Sequence, residues 1–201
     1  MIPFPVYKEP TIEVIDDLYI LTNIKNGQTI AFDFETTGLK SQAAGQRIIC
    51  CSVAVSENHV YVFMMPKTPK ERQPLINVLK NPEIFKVVQN SKFEHSWSQV
   101  RLNVEVQGWI WDTMIMAHIL DNRERITSLQ FQTYVQFGCI DFKDDTQKYL
   151  EADKKDGNAI NKIFELLELP GGKEKLLKRN ALDSIFEYRL YKQQELQLLP
   201  F

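Results

Sequence analysis

Apolar positions along the chain fall into two regimes that change over near residue 90. In the first, short β-prone runs dominate: 29–34, 47–55 and 59–65 are dense in Ile, Val, Phe, Ala and Cys. The last two are joined by Ser56-Glu57-Asn58, a turn composition that predicts an antiparallel hairpin. Ahead of them Ile15, Leu18, Leu21 and Ile24 recur at helical spacing, so 15–24 reads as a helix stopped by Asn26-Gly27. Residues 69–80 read as a helix whose exit is fixed by Pro82, and 85–89 as a short apolar strand. In the second regime helical spacing prevails, over 92–102, 113–120, 128–137, 160–167 and 173–199. Strands first, then helices with one strand interposed, predict an α/β chain with a mixed β-sheet flanked by helices. No repeat or low-complexity tract interrupts 1–201, which reads as one domain. Residues 143–158, dense in charge and carrying Gly157, are expected to form a mobile excursion from it.

Composition narrows the function classes. Twenty-four Lys and Arg against 26 Asp and Glu give a net charge of −2, which argues against binding nucleic acid through a global positive field. Local binding of an anion stays open. Three cysteines, two of them adjacent at Cys50 and Cys51, make a poor disulfide framework and suit a reduced compartment. The start, Met1-Ile2-Pro3-Phe4-Pro5, lacks the pattern of a secretory signal, and no run approaches the ~18 apolar residues of a membrane span. A cytoplasmic protein without a membrane partner is expected.

The chemistry begins at Ala31-Phe32-Asp33-Phe34-Glu35-Thr36-Thr37-Gly38-Leu39. Strand alternation sends Asp33 and Glu35 to one face and Phe32 and Phe34 to the other. Two carboxylates side by side near the end of an apolar strand repel, and burying them is costly unless a cation answers them. Hard oxygen donors suit Mg²⁺ or Mn²⁺ better than zinc, and no Cys/His cluster offers zinc an alternative. Two unrelated acids on a solvated edge strand are the bland alternative. Further acids fall where segments turn helical: Glu94 in Gln89-Asn90-Ser91-Lys92-Phe93-Glu94, Asp112 in Trp111-Asp112-Thr113, and Asp183 in Asn180-Ala181-Leu182-Asp183.

In this order the three stretches resemble the motifs of the DEDD superfamily of metal-dependent 3′–5′ exonucleases, most nearly the proofreading exonuclease domain of family A DNA polymerases and related phage exonucleases. The likeness runs from Thr29 to Leu190. It implies a ribonuclease H-like exonuclease fold and two divalent ions held by Asp33, Glu35, Glu94 and Asp183, the catalytic acids. Glu94 stands where the family usually has Asp, and its alternative is a surface acid at a helix start. Thr36, Leu39, Asn90 and Phe93 match positions that hold or wedge the terminal nucleotides, although for Leu39 and Phe93 taken singly core packing is the expected role. Asp112 reads as a helix N-cap, and the isolated His95 and His118 as hydrogen-bonded structural histidines.

The resemblance breaks at Arg179, where the family places a Tyr four residues before the last acid. Arg cannot act as a base at neutral pH. It either pairs with Asp183 one helical turn away or grips the scissile phosphate. Lys173, Lys175 and Lys178 add local positive charge beside it, while Lys67, Lys70 and Arg72 read as a solvated face. The implied activity is removal of nucleotides from single-stranded or frayed DNA 3′ ends in proofreading, replication or repair, alone or with a DNA polymerase, in the host cytoplasm if the source is a phage. A catalytically weakened module that binds nucleic acid or a polymerase is the alternative Arg179 keeps open.

Overall fold

Six strands form one mixed sheet in the order β1-β4-β3-β2-β5-β6 in the computed structural model, which describes residues 8–139, 145–152 and 159–198. The strands are β1 (Thr11–Val14), β2 (Thr29–Thr36), β3 (Ile48–Ser56), β4 (His59–Met64), β5 (Phe85–Val88) and β6 (Trp109–Asp112). The expected hairpin is β3–β4, antiparallel, and β2 is antiparallel to β3 but parallel to β5, which is parallel to β6. The helices are α1 (Pro69–Lys80), α2 (Ser91–Trp97), α3 (Thr113–Leu120), α4 (Leu129–Phe137), α5 (Gln147–Leu150), α6 (Ile163–Glu168) and α7 (Gly172–Leu198).

Alternation along the central strands sorts the core into two unlike layers. Phe32 and Phe34 of β2, with Cys51, Val53 and Phe63, face α1 and Trp97 of α2. The opposite face carries smaller side chains, Ala31, Cys50, Ser52 and Ala54, and α7 lies across it with Leu177, Ala181 and Ile185. Small residues on both sides let helix and sheet approach closely, and the Ser52 hydroxyl donates to the Asn180 carbonyl at 2.7 Å. Asp33 and Glu35 share the face of Ala31, so the pleat aims both at α7.

Several expectations are corrected. Residues 15–24 do not make an α-helix: β1 ends at Val14, and a 3-10 helix, Leu18–Asn23, follows with Asp17 capping the Tyr19 amide. Leu18, Leu21, Ile15 and Ile24 are nonetheless buried as their spacing implied. The sequence pattern predicts no strand at β6, because its four residues are too few to show a period. The helix expected over 92–102 ends at Trp97 and passes into a π-helical turn, Ser98–Leu102. Within the expected excursion, α5 is ordered and packs near α6, while residues 143–144 and 153–158 lie outside the described residues.

Candidate metal and nucleic-acid site

Strand β2 delivers Asp33 and Glu35, and α7 meets them with Asp183: one carboxylate oxygen from each lies within 4.8 Å of the other two. This brings together sequence positions 148 to 150 residues apart, through the close docking of α7 on the sheet. A register shift at Glu35/Thr36 ends the regular β2–β3 ladder at this point. Such an irregularity re-aims side chains locally, as strand bulges beside functional sites do.

Asn180, three residues before Asp183, fixes the first acid. Its Nδ2 donates to Asp33 Oδ2 at 2.6 Å and to the Asp33 carbonyl at 3.3 Å. Burial pushes the Asp33 carboxyl up to about 6, against the opposing pull of Asn180 and of Arg179. Burial, then the charge of Asp33, pushes Glu35 up to about 8, with Arg179 again opposing. Arg179 lies between Glu35 and Asp183, its Nε 3.7 Å from Glu35 Oε1 and 3.8 Å from Asp183 Oδ2. These are ion-pair separations, and neither Nε nor Nη1 makes a hydrogen bond among the described residues. The guanidinium therefore faces the acids, the pairing that the i,i+4 spacing allowed.

Glu94 is not a surface acid: 1% exposed on α2, it leaves Oε2 without a hydrogen-bond partner. Burial and the charges of Asp33 and Glu35 raise its carboxyl, opposed by the Phe34 backbone. It adjoins the cluster without joining the three closest acids. Sequence reasoning passed over Glu187, one turn beyond Asp183 on α7. It is fully buried, neither of its oxygens has a hydrogen-bonding partner among the described residues, and it lines the same cavity as Asp33, Glu35 and Asp183. Burial raises it first, then the charges of Asp33, Glu94 and Asp183, with the Gln89 backbone near enough to offset this in part. Its spacing from Asp183 is the signal that could have found it.

The cavity over these acids encloses about 240 Å³, and Thr36, Leu39 and Phe93 also line it. A second cavity of about 230 Å³ lies against Asn90, Lys92, Ser96 and Trp97 and shares Leu39 and Phe93 with the first. Leu39 is 58% exposed, so it serves no core, whereas Phe93 is half-buried against the Phe32 layer. Thr36 is buried, its hydroxyl donating to the Gly38 carbonyl at 2.7 Å. Gly38 is required there: an added Cβ would stand 2.3 Å from the Ala159 carbonyl oxygen. Asn90 opens α2 in the left-handed region at φ 74°. Asp112 accepts from the Asn90 and Ser91 amides at 3.1 and 2.6 Å as well as capping α3 through Met114 and Ile115. His118 is exposed, and His95 packs near Trp109 with Nδ1 unpartnered rather than hydrogen-bonded. Lys175 pairs with Asp145 at 2.7 Å, and Lys173 and Lys178 are exposed.

The donor set fits a hard divalent cation. It consists of carboxylates, two of which, Glu94 and Glu187, are buried with at least one oxygen unpartnered, a state that burial penalises heavily unless a cation or a proton compensates. Cys50 is the thiol nearest Glu35, and burial holds it well above its usual range, so it stays protonated and offers no soft ligand.

A family model described as 3′–5′ exonuclease matches residues 15–162, ending short of α7 and Asp183. Among curated proteins, none matches the chain in sequence. The fold is similar to NrnC of Brucella melitensis with bound Mg²⁺, at TM-score 0.65 and 16% identity over 93% of this chain and 79% of that one. It is similar to Escherichia coli RNase D, an exoribonuclease involved in structured RNA processing, at TM-score 0.63 and 14% identity over 94% and 45% of the two chains. The POL domain of Pol1 from M. smegmatis, in complex with DNA primer-template and dNTP, matches at TM-score 0.63 and 12% identity over 94% and 27%. The α/β fold with its mixed sheet is thus of the ribonuclease H-like type shared by DEDD exonucleases. On the matched residues, the chain belongs to the 3′–5′ exonuclease family.

Proposed function

We propose that the chain is one exonuclease domain that hydrolyses the terminal phosphodiester of single-stranded or frayed DNA 3′ ends, with two divalent ions, Mg²⁺ or Mn²⁺. The observation that carries this reading is the meeting of Asp33, Glu35 and Asp183 within 4.8 Å beneath an open cavity. Those acids, with Glu94 behind them, would hold the ions. When bound, such ions lower the pKa of a coordinated water and neutralise charge developing on the phosphate. The chain's own residues fix the geometry: Asn180 holds one Asp33 oxygen, and the β2–α7 contact sets the spacing of the rest. Leu39 and Phe93, shared by the two cavities, offer apolar faces between which a terminal base can stack. Asn90 and Lys92 line the neighbouring cavity, where the lysine suits a phosphate.

The motif order of the sequence, resembling family A polymerase exonucleases, supports DNA and a place in proofreading or replication beside a polymerase. RNase D, which by description processes RNA, shows that the fold also serves the other nucleic acid. Single-stranded DNA and RNA of one sequence, incubated with Mg²⁺ and then Mn²⁺, separate these outcomes. Faster shortening of DNA is expected, and faster shortening of RNA would overturn the DNA assignment. Tight binding of both without hydrolysis would favour the second reading, a weakened nucleic-acid-binding module. Its supporting observation is Arg179, whose guanidinium stands against two of the three clustered acids.

A further inference from the structure

We infer that Glu187 is a fifth acid of the divalent-metal centre. The inference rests on the metal-dependent reading above and extends it to a residue that lies outside the matched motifs. Arg179, Asp183 and Glu187 follow one another at single-turn intervals on α7, so one stripe of the helix carries a cation, a clustered acid and a second acid toward β2. Glu187 is completely buried, lines the cavity over Asp33, Glu35 and Asp183, and keeps both carboxylate oxygens without a hydrogen-bond partner among the described residues. A carboxylate in that state is expensive to keep, and no cationic side chain among the described residues pairs with it. Every charged group that acts on it, Asp33, Glu94 and Asp183, is itself acidic. Either a proton or a cation from outside the chain relieves that arrangement.

Glu187 also approaches from the α7 side toward Glu94, whose Oε2 is likewise unpartnered. Both residues thus keep free acceptor oxygens near Asp33.

The test is Mn²⁺ titration by calorimetry of the metal-stripped full chain and its variants, with thermal unfolding in chelator read alongside. Glu187→Gln is expected to raise the Mn²⁺ dissociation constant at least tenfold while leaving the melting temperature in chelator equal or higher. Glu187→Leu, which keeps the volume without charge, serves if the amide disturbs folding. If Asp33→Asn loses Mn²⁺ binding while the Glu187 variants keep wild-type affinity, Glu187 is no part of the centre. If Asp33→Asn also keeps it, the metal-dependent reading itself fails.

Discussion

At the scale of single residues, the site is a balance between buried like charges and the few groups that answer them. Asp33 has Asn180, Glu35 and Asp183 share Arg179, and Glu94 and Glu187 have nothing at hydrogen-bond distance for at least one oxygen. Removing one acid relieves repulsion, so Asp33→Ala should retain or raise stability in chelator. It should cut turnover on the order of 10³-fold, since a metal ligand supplies several kcal/mol of barrier lowering. Single-turnover rates and a melt of the same sample check both halves, and near-normal turnover contradicts the assignment. Arg179→Tyr should raise the hydrolysis rate and lower the metal concentration for half-maximal activity, because a fixed positive charge leaves the acids. Slower turnover at every metal concentration would instead make Arg179 a phosphate clamp. Strand alternation alone was enough to put Asp33 and Glu35 on one face. It said nothing of Asn180 or Glu187, whose roles depend on how far α7 approaches the sheet.

At the scale of elements, that approach is set by side-chain size. Ala31, Cys50, Ser52 and Ala54 on the sheet meet Ala181 and Ser184 on α7, all fully buried. Ala181→Leu should push α7 away, destabilising by about 1–3 kcal/mol through overpacking. It should lose activity well beyond that stability loss, since the acids separate. Denaturant unfolding compared with activity at a temperature where the variant stays folded distinguishes the two effects, and proportionate losses contradict it. The hairpin, α1 and α3 were legible because each carries several repeats of its period or a clear cap, such as the Thr68–Glu71 capping box of α1. β1 and β6, four residues each, are too short for period-based reading, and only pairing with β4 and β5 defines them. The 15–24 segment shows the same limit from the other side: its apolar spacing marked burial correctly, yet a six-residue 3-10 helix with its flanks satisfies that spacing.

For the whole molecule, the acids couple stability to pH and to metal. Asp33 and Glu35 rise from 3.8 and 4.5 to about 6 and about 8 on folding. The folded chain therefore holds protons that the unfolded chain has released, and stability must fall as pH rises from about 4 through about 8. In chelator the melting temperature should be higher at pH 5 than at pH 8, and saturating Mn²⁺ should reverse that order by stabilising the ionised acids. A pH-independent difference between the two conditions would contradict it. Among the described residues no helix is long and apolar enough to cross a membrane.

The central claim is metal-dependent shortening of nucleic acid from the 3′ end by the acids joined between β2 and α7. A single-stranded DNA carrying a 5′ label, resolved by length over time with Mg²⁺ or Mn²⁺, tests it most directly. The account predicts a ladder descending one nucleotide at a time from the 3′ end, absent in chelator and in Asp33→Asn. Internal cuts, shortening from the 5′ end, or an undiminished ladder in Asp33→Asn would contradict it.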